Sequence, residues 1–256
     1  MRPALHPDFL RRPIAHRALH DLSARAPENS LPAVRAAVAA GYGIEIDLQP
    51  SADGVAMVFH DDTLDRLTYE TGPLRARSTA ELQRIRVREC PEPIPTLRQV
   101  LAEVDGRVPL LIELKDQSQR MGDSDGQLER ATAAALEGYG GPVAVMSFNP
   151  SMIATMADLA PGVARGLTTY AFPAEDLPEG TDAAHRASLA AIADFDRVGA
   201  AFISHHWRDL DRPRVAELKA AGAAVLCWTI RSPEEEATAR RIAQNITFEG
   251  YRAAQD

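Results

Sequence analysis

Cysteine is scarce in this 256-residue chain: Cys90 and Cys227 are the only two. Two thiols exclude a multi-bridge disulfide scaffold and are too few for a cysteine-rich zinc cluster. Nothing requires them to pair. Cys227, in the apolar run AAVLCWTI (223–230), reads as a buried, reduced thiol. Long hydrophobic runs are missing too. None approaches the roughly 18 apolar residues of a spanning helix, so no stable membrane insertion is expected. The opening MRPALHPDFLRRPIAHR has no apolar export-signal stretch, and Pro13 rather than an apolar segment follows Arg11-Arg12. A cytoplasmic location is the expectation. There is no excess of positive charge: the net charge is −8. That argues against a general nucleic-acid binder and leaves room for a local cationic pocket. Lysine is nearly absent, with Lys115 and Lys219 the only two among 28 basic side chains. The skew reads as codon bias, but it makes each lysine's position informative. Glycine-rich phosphate loops of the Walker A or dinucleotide type are also missing. Ser147, in SFNP, lacks the surroundings of a nucleophile elbow.

What is present is an ordinary globular composition, 45% hydrophobic and 25% charged. Short apolar runs alternate with helix-like segments from end to end. Strands are expected at PIAH (13–16), GIEIDLQ (43–49), VAMVFH (55–60), PLLIELK (109–115), PVAVMSF (142–148), GVARGLTT (162–169), AAFISHHW (200–207), AAVLCWTI and NITFEG (245–250). Helices are expected between them, as at SLPAVRAAVAAG (30–41), where Pro32 suits a first turn and Gly41 a stop. Such alternation means parallel βα units. Length and repeat number favour a single-domain (β/α)8 barrel over residues 1–256 rather than a doubly wound sheet. The strand count reaches nine, so one strand should be a hairpin arm outside the repeat. A polar, loop-rich insert is expected at about 61–95.

In IEIDLQPSADGVAMVFH (44–60), Glu45 and Asp47 stand at i and i+2 and share one face of a strand. Two like charges on a buried face are costly, and a divalent cation would resolve the cost. A solvent-exposed face with solvated acids would account for them equally well. Asp53-Gly54 between apolar runs signals a two-residue hairpin. That register pairs Ala52 with Val55 and sets Asp47 opposite His60. Glu113 and Lys115 repeat the i, i+2 pattern in LLIELK, offering a third carboxylate and a cation. A solvent-facing strand end with a local ion pair is the plainer alternative. His16 and Arg17 end the first strand. The histidine can trade protons near neutral pH, and the arginine fork suits a phosphate or carboxylate. Glu28 and Asn29, in APENS, read as polar contacts below a site or as helix-entry residues. His205 and His206 are adjacent and point to opposite faces, so rim or core roles fit better than joint chelation. Trp228 either walls a substrate pocket or packs in the core.

IAHR (14–17), APENS (26–30), IEIDLQPSADG (44–54), VFHDDTLDRLT (58–68), IPTL (94–97), LIELK (111–115), SFNP (147–150) and CWTI (227–230) together resemble the glycerophosphodiester phosphodiesterase family. This family belongs with the phosphatidylinositol-phospholipase-C-like phosphodiesterase barrels. The resemblance implies a TIM barrel and a divalent metal, Mg²⁺ or Ca²⁺, held by Glu45, Asp47 and Glu113. It implies acid–base roles for His16 and His60, and phosphate binding by Arg17 and Lys115. The expected reaction converts a small phosphodiester to glycerol 3-phosphate and an alcohol. Phospholipase-D-like action on lysophospholipids and a non-catalytic phosphodiester-binding barrel are the alternatives, and homo-oligomer formation stays open. Ala18 replaces the family's usual glycine, Ser30 its usual threonine, and NITFEGY departs from its usual final strand.

Overall fold

The strand-forming runs become β1 (Ile14–Ala15), β2 (Gly43–Pro50), β3 (Ala56–Val58), β4 (Leu110–Leu114), β5 (Val143–Ser147), β6 (Ala164–Thr169), β7 (Phe202–His206), β8 (Ala224–Ile230) and β9 (Asn245–Phe248). The computed structural model describes every residue except Met1, Gln119, Glu179 and Asp256. Its sheet runs β1-β9-β8-β7-β6-β5-β4-β2-β3, and a β1–β2 pairing closes it. The result is the expected (β/α)8 barrel, with β3 as the antiparallel arm outside the parallel repeat. The helices are α1 (Asp8–Arg11), α2 (Leu31–Ala40), α3 (Thr79–Leu82), α4 (Leu97–Val104), α5 (Gln127–Leu136), α6 (Pro150–Leu159), α7 (Ala183–Ala190), α8 (Pro213–Ala220) and α9 (Pro233–Ala239).

The chain divides into two compact units. The first comprises Ile14–Lys115 and Gly126–Val143. Here β2 is buried along its whole length, as a parallel strand covered on both faces must be. Ile44, Ile46, Leu48, Leu110, Ile112 and Leu114 form the apolar side of β2 and β4. Each such burial contributes about 1.5–3 kcal/mol. The helix α2 starts where Ser30 Oγ accepts the Ala33 N–H and stops at Gly41, whose φ of 75° is left-handed. A reciprocal capping box between Thr96 and Gln99 starts α4. The insert is more ordered than its polar sequence suggests. Met57, Phe59, Leu64, Leu74, Leu82, Val87, Cys90 and Ile94 give it a small core of its own.

The hairpin forms, but its register is shifted by one residue from the expected one. Leu48 pairs with Val58 and Pro50 with Ala56, so Phe59 rather than His60 follows opposite Asp47; the Phe59 N–H donates to the Asp47 carbonyl at 2.9 Å. The reason lies at the turn. Ser51 closes a wider loop, its N–H donating to the Val55 carbonyl and its Oγ accepting the Val55 N–H, both at 2.9 Å. Asp53 is drawn away to the insert, where its carboxylate accepts both the Thr79 N–H and hydroxyl at 2.8 Å. Gly54, at φ 78°, remains the left-handed position.

The second unit comprises Met1–Pro13, Asp116–Asp125 and Ala144–Asp256. Strands β5 to β9 carry its core. Gly166 is required by packing: a Cβ there would stand 2.4 Å from the Phe202 ring. The Asn245 amide donates to the carbonyls of Phe9 and Arg12 at 2.7 and 2.6 Å, fastening α1 to β9. Both cysteines are free and buried, as expected for Cys227.

Candidate active site

The parallel pairing of β2 with β4 sets Asp47 beside Glu113, and the strand period places Glu45 on the same face as Asp47. Ligand oxygens of Glu45, Asp47 and Glu113 all lie within 4.8 Å of one another. All three side chains are buried. At an effective dielectric near 20, two carboxylates this close repel by about 3 kcal/mol. Burial, with the charges of Asp47 and Glu113, pushes Glu45 well above the usual carboxylate range. Burial also disfavours the charge on Asp47, but Lys115, His60, Arg17 and His16 outweigh it and hold Asp47 below its ordinary value. Three buried hard-oxygen donors without a nitrogen or sulfur ligand suit a cation of the Mg²⁺ or Ca²⁺ kind rather than zinc. The like-charge crowding is what such a cation would relieve.

Two cations face the acids. Lys115 Nζ donates to Glu113 Oε1 at 3.0 Å and lies 3.8 Å from Asp47 Oδ1. Those charges raise its pKa although burial opposes them. Arg17 Nε stands 3.6 Å from Asp47 Oδ2. Asn29 grips Asp47 twice, its amide donating to Oδ2 at 2.9 Å and its carbonyl accepting the Asp47 N–H at 3.1 Å. His60 follows β3 and reaches the same cluster, with Nε2 3.2 Å from Lys115 Nζ. His16 follows Ala15, whose partner in β2 is Ile44, and so stands at the level of Glu45.

A relay of charged bonds that the sequence reading missed holds these groups in place. His60 Nδ1 lies 2.7 Å from Asp61 Oδ1. Burial would raise Asp61, but bonds from Arg66 and His60 pull it down to about 2. An ionised carboxylate only accepts, so Nδ1 carries the proton and the ring turns Nε2 toward Lys115 Nζ. Arg66 grips Asp61 with two bonds of 2.7 Å and Glu28 with bonds of 2.8 and 2.9 Å. Glu28 Oε1 in turn accepts from Arg17 Nη1 at 2.8 Å. One arginine therefore orients both His60 and Arg17. The only sequence signal was the run HDDTLDR itself, because loop contacts leave no periodicity.

Backbone shape aims Arg17. Arg17 and Ala18 both have left-handed φ, 51° and 65°. Their N–H groups donate to Glu45, Arg17 to Oε2 at 2.8 Å and Ala18 to the carbonyl at 2.9 Å. A Cβ in this conformation costs about 1–2 kcal/mol. Ala18→Gly should therefore raise stability by about 0.5–1 kcal/mol after the added freedom of the unfolded chain is counted. Thermal melts check this, and a lower Tm for the glycine variant would refute strain at that position.

His16, Arg17, Glu45, Asp47, His60, Glu113 and Lys115 all belong to the first unit. Trp228 belongs to the second, among Phe148, Tyr170 and His206. His205 is fully buried and bonds Thr169 Oγ1 through Nδ1 at 2.7 Å, whereas His206 is only half-buried; the two do not act together. Among the described residues no helix is long and apolar enough to cross a membrane.

The Glycerophosphoryl diester phosphodiesterase family profile matches residues 16–245. Bovine Glycerophosphodiester phosphodiesterase 1 is 43% identical over 100 residues, which cover 35% of this chain but only 29% of that relative. The Putative glycerophosphodiester phosphodiesterase YhdW of Bacillus subtilis is 26% identical over 233 residues, 88% of each chain. Among solved structures, an Oleispira antarctica phosphodiesterase in complex with the product sn-glycerol-3-phosphate is similar with a TM-score of 0.76 and 26% identity, covering 94% of this chain and 93% of that one. A glycerophosphodiester phosphodiesterase from Thermotoga maritima shares the fold, with a TM-score of 0.68 at 20% identity over 92% of each chain.

Proposed function

We propose, from the premise that the chain belongs to the glycerophosphoryl diester phosphodiesterase family, that it hydrolyses glycerophosphodiesters to glycerol 3-phosphate and an alcohol. The observation that carries this reading is the trio of Glu45, Asp47 and Glu113, buried and within 4.8 Å, with Lys115 bonded to its edge. The trio would hold Mg²⁺ or Ca²⁺, which when bound polarises the phosphoryl group and offsets charge on its non-bridging oxygens. Arg17 and Lys115 bind the phosphate, the first as a planar fork and the second as a point charge. His60 takes the proton of the nucleophile at Nε2, either water or a neighbouring glycerol hydroxyl whose cyclic phosphate water then opens, because Asp61 occupies Nδ1 and stabilises the ring once charged. His16 gives a proton to the leaving alcohol. The bound sn-glycerol-3-phosphate of the Oleispira relative supports glycerol 3-phosphate as the product.

The direct experiment measures glycerol 3-phosphate released from a glycerophosphodiester, with Mg²⁺ or Ca²⁺ added and with both chelated. Release with metal, background with chelator and recovery on metal return are expected. No release under any metal condition would sink the proposal.

A further inference from the structure

After the Phe59 N–H, which donates to the Asp47 carbonyl at 2.9 Å, the chain leaves the β2–β3 hairpin just where it delivers His60. A side chain of β2 holds it there. Gln49 stands two residues after Asp47, so both belong to one face of the strand. It is buried. Its Nε2 donates to the His60 carbonyl at 3.2 Å and to Asp62 Oδ1 at 3.0 Å. These two bonds bracket Asp61, whose carboxylate lies 2.7 Å from His60 Nδ1. The Leu74 N–H also donates to the Asp62 carbonyl at 2.9 Å. The segment 60–62 is therefore tied both to β2 and to the insert.

The link needs a particular side-chain chemistry. A carbonyl only accepts, and so does an ionised carboxylate, so the residue joining them must bring two N–H groups. A primary amide carries both on one nitrogen, without charge. A carboxylate of the same shape brings none and would face Asp62 with a like charge. An apolar side chain of similar size would take this donor away from both acceptors. The roles of Gln49 and Arg66 are distinct. Arg66 is exposed and grips the Asp61 carboxylate, whereas Gln49 holds the backbone that carries both that carboxylate and the imidazole. Glu45 and Asp47 also lie on β2, so one buried strand sets two acids of the trio and, through Gln49, the place of the histidine.

We infer that Gln49 is a positioning residue whose amide fixes the main chain at His60, so that the imidazole keeps its place beside Lys115. What His60 does there rests on the phosphodiesterase reading. How it is held rests on hydrogen-bond geometry alone.

Steady-state kinetics of the full chain on a glycerophosphodiester with Mg²⁺ or Ca²⁺, beside proton NMR, test this. Gln49→Met should lower kcat about 10–100-fold, the scale for a lost orienting partner, and leave KM within about twofold. Gln49→Glu should fall at least as far. Adding Asp62→Asn to Gln49→Glu gives the new carboxylate an amide N–H to accept, and should restore kcat at least about fivefold. The proton on His60 Nδ1, held by Asp61, should give a low-field resonance in the wild type, identified by its loss in His60→Ala. That resonance should broaden away in Gln49→Met. A residue that only props up the fold would lower Tm and leave the resonance of the folded protein in place. Unchanged kcat in Gln49→Met, a double variant no faster than Gln49→Glu, or a resonance retained in Gln49→Met would overturn the inference. Gln49→Met adds no charge and keeps the test decisive if Gln49→Glu fails to fold. The resonance also separates this role from the reaction. If no metal condition gives hydrolysis but the resonance is lost in Gln49→Met, the reaction is wrong and the positioning role stands. If hydrolysis proceeds and the resonance survives the substitution, the positioning role is wrong and the reaction stands.

Discussion

His60→Ala should lower kcat for glycerophosphodiester hydrolysis by about 10²–10⁴-fold, the range for a lost general base, with a much smaller change in KM. The geometry says why kcat bears the loss. His60 presents Nε2 from a ring fixed by Asp61 on Nδ1, and phosphate binding stays with Arg17 and Lys115. The variant should also lose the acidic limb of the pH–kcat profile, because the base must be deprotonated to act. Loss of the alkaline limb instead would exchange the roles of His16 and His60, and unchanged kcat would remove His60 from the chemistry. The relay behind the histidine grades the effect. Arg66→Met removes four charge-assisted bonds to Asp61 and Glu28 at once, and should cost about 10–100-fold, the scale seen when orienting partners are lost. Arg66→Lys should rescue little, because a point charge cannot bridge two carboxylates bidentately. A steady-state series over His60, Asp61 and Arg66 with pH profiles separates orientation from chemistry.

Removing Glu45 from the trio should move activity and metal-free stability in different directions. Glu45 is buried, crowded by Asp47 and Glu113, and raised well above the usual carboxylate range. Glu45→Gln keeps its shape and removes the repulsion. Metal-free Tm should hold or rise, by about 2–4 °C for each kcal/mol relieved in a chain of this size. The metal-induced Tm increase should vanish and hydrolysis should fall about 10³-fold, equivalent to about 4 kcal/mol of lost charge stabilisation. Asp47→Asn should behave differently. It leaves Lys115 and Arg17 short of a counter-charge and should lower the metal-free Tm while also abolishing the metal response. The pH dependence follows from the same cause. Metal needs Glu45 ionised, so apparent affinity should weaken as pH falls through the raised Glu45 titration, with protons released on binding. Differential scanning with Mg²⁺ or Ca²⁺ across pH checks each part. An undiminished metal shift in both variants would refute the trio as the metal centre.

The site's composition was legible in the sequence where local backbone geometry is periodic. Strand period two put Glu45 with Asp47, and Glu113 with Lys115, on shared faces before any contact was known. The alternation of apolar runs with capped helices was enough for the barrel, and a ninth strand was enough to flag β3 as an extra arm. The helix expected from residue 30 does start there, because the Ser30 side chain reaches only three residues ahead. The hairpin register was decided elsewhere. Asp53-Gly54 reads locally as a tight turn, yet Thr79, 26 residues away, captured Asp53 and left Ser51 to close a wider loop. The link from Arg66 to Glu28 joins two loop residues 38 positions apart and has no sequence period to betray it. The aromatic walls around Trp228 likewise became neighbours only when separate strands paired. Periodicity determines which side chains share a face. Which faces, loops and charges then meet depends on bonds between distant segments, and those exist only once the chain has folded.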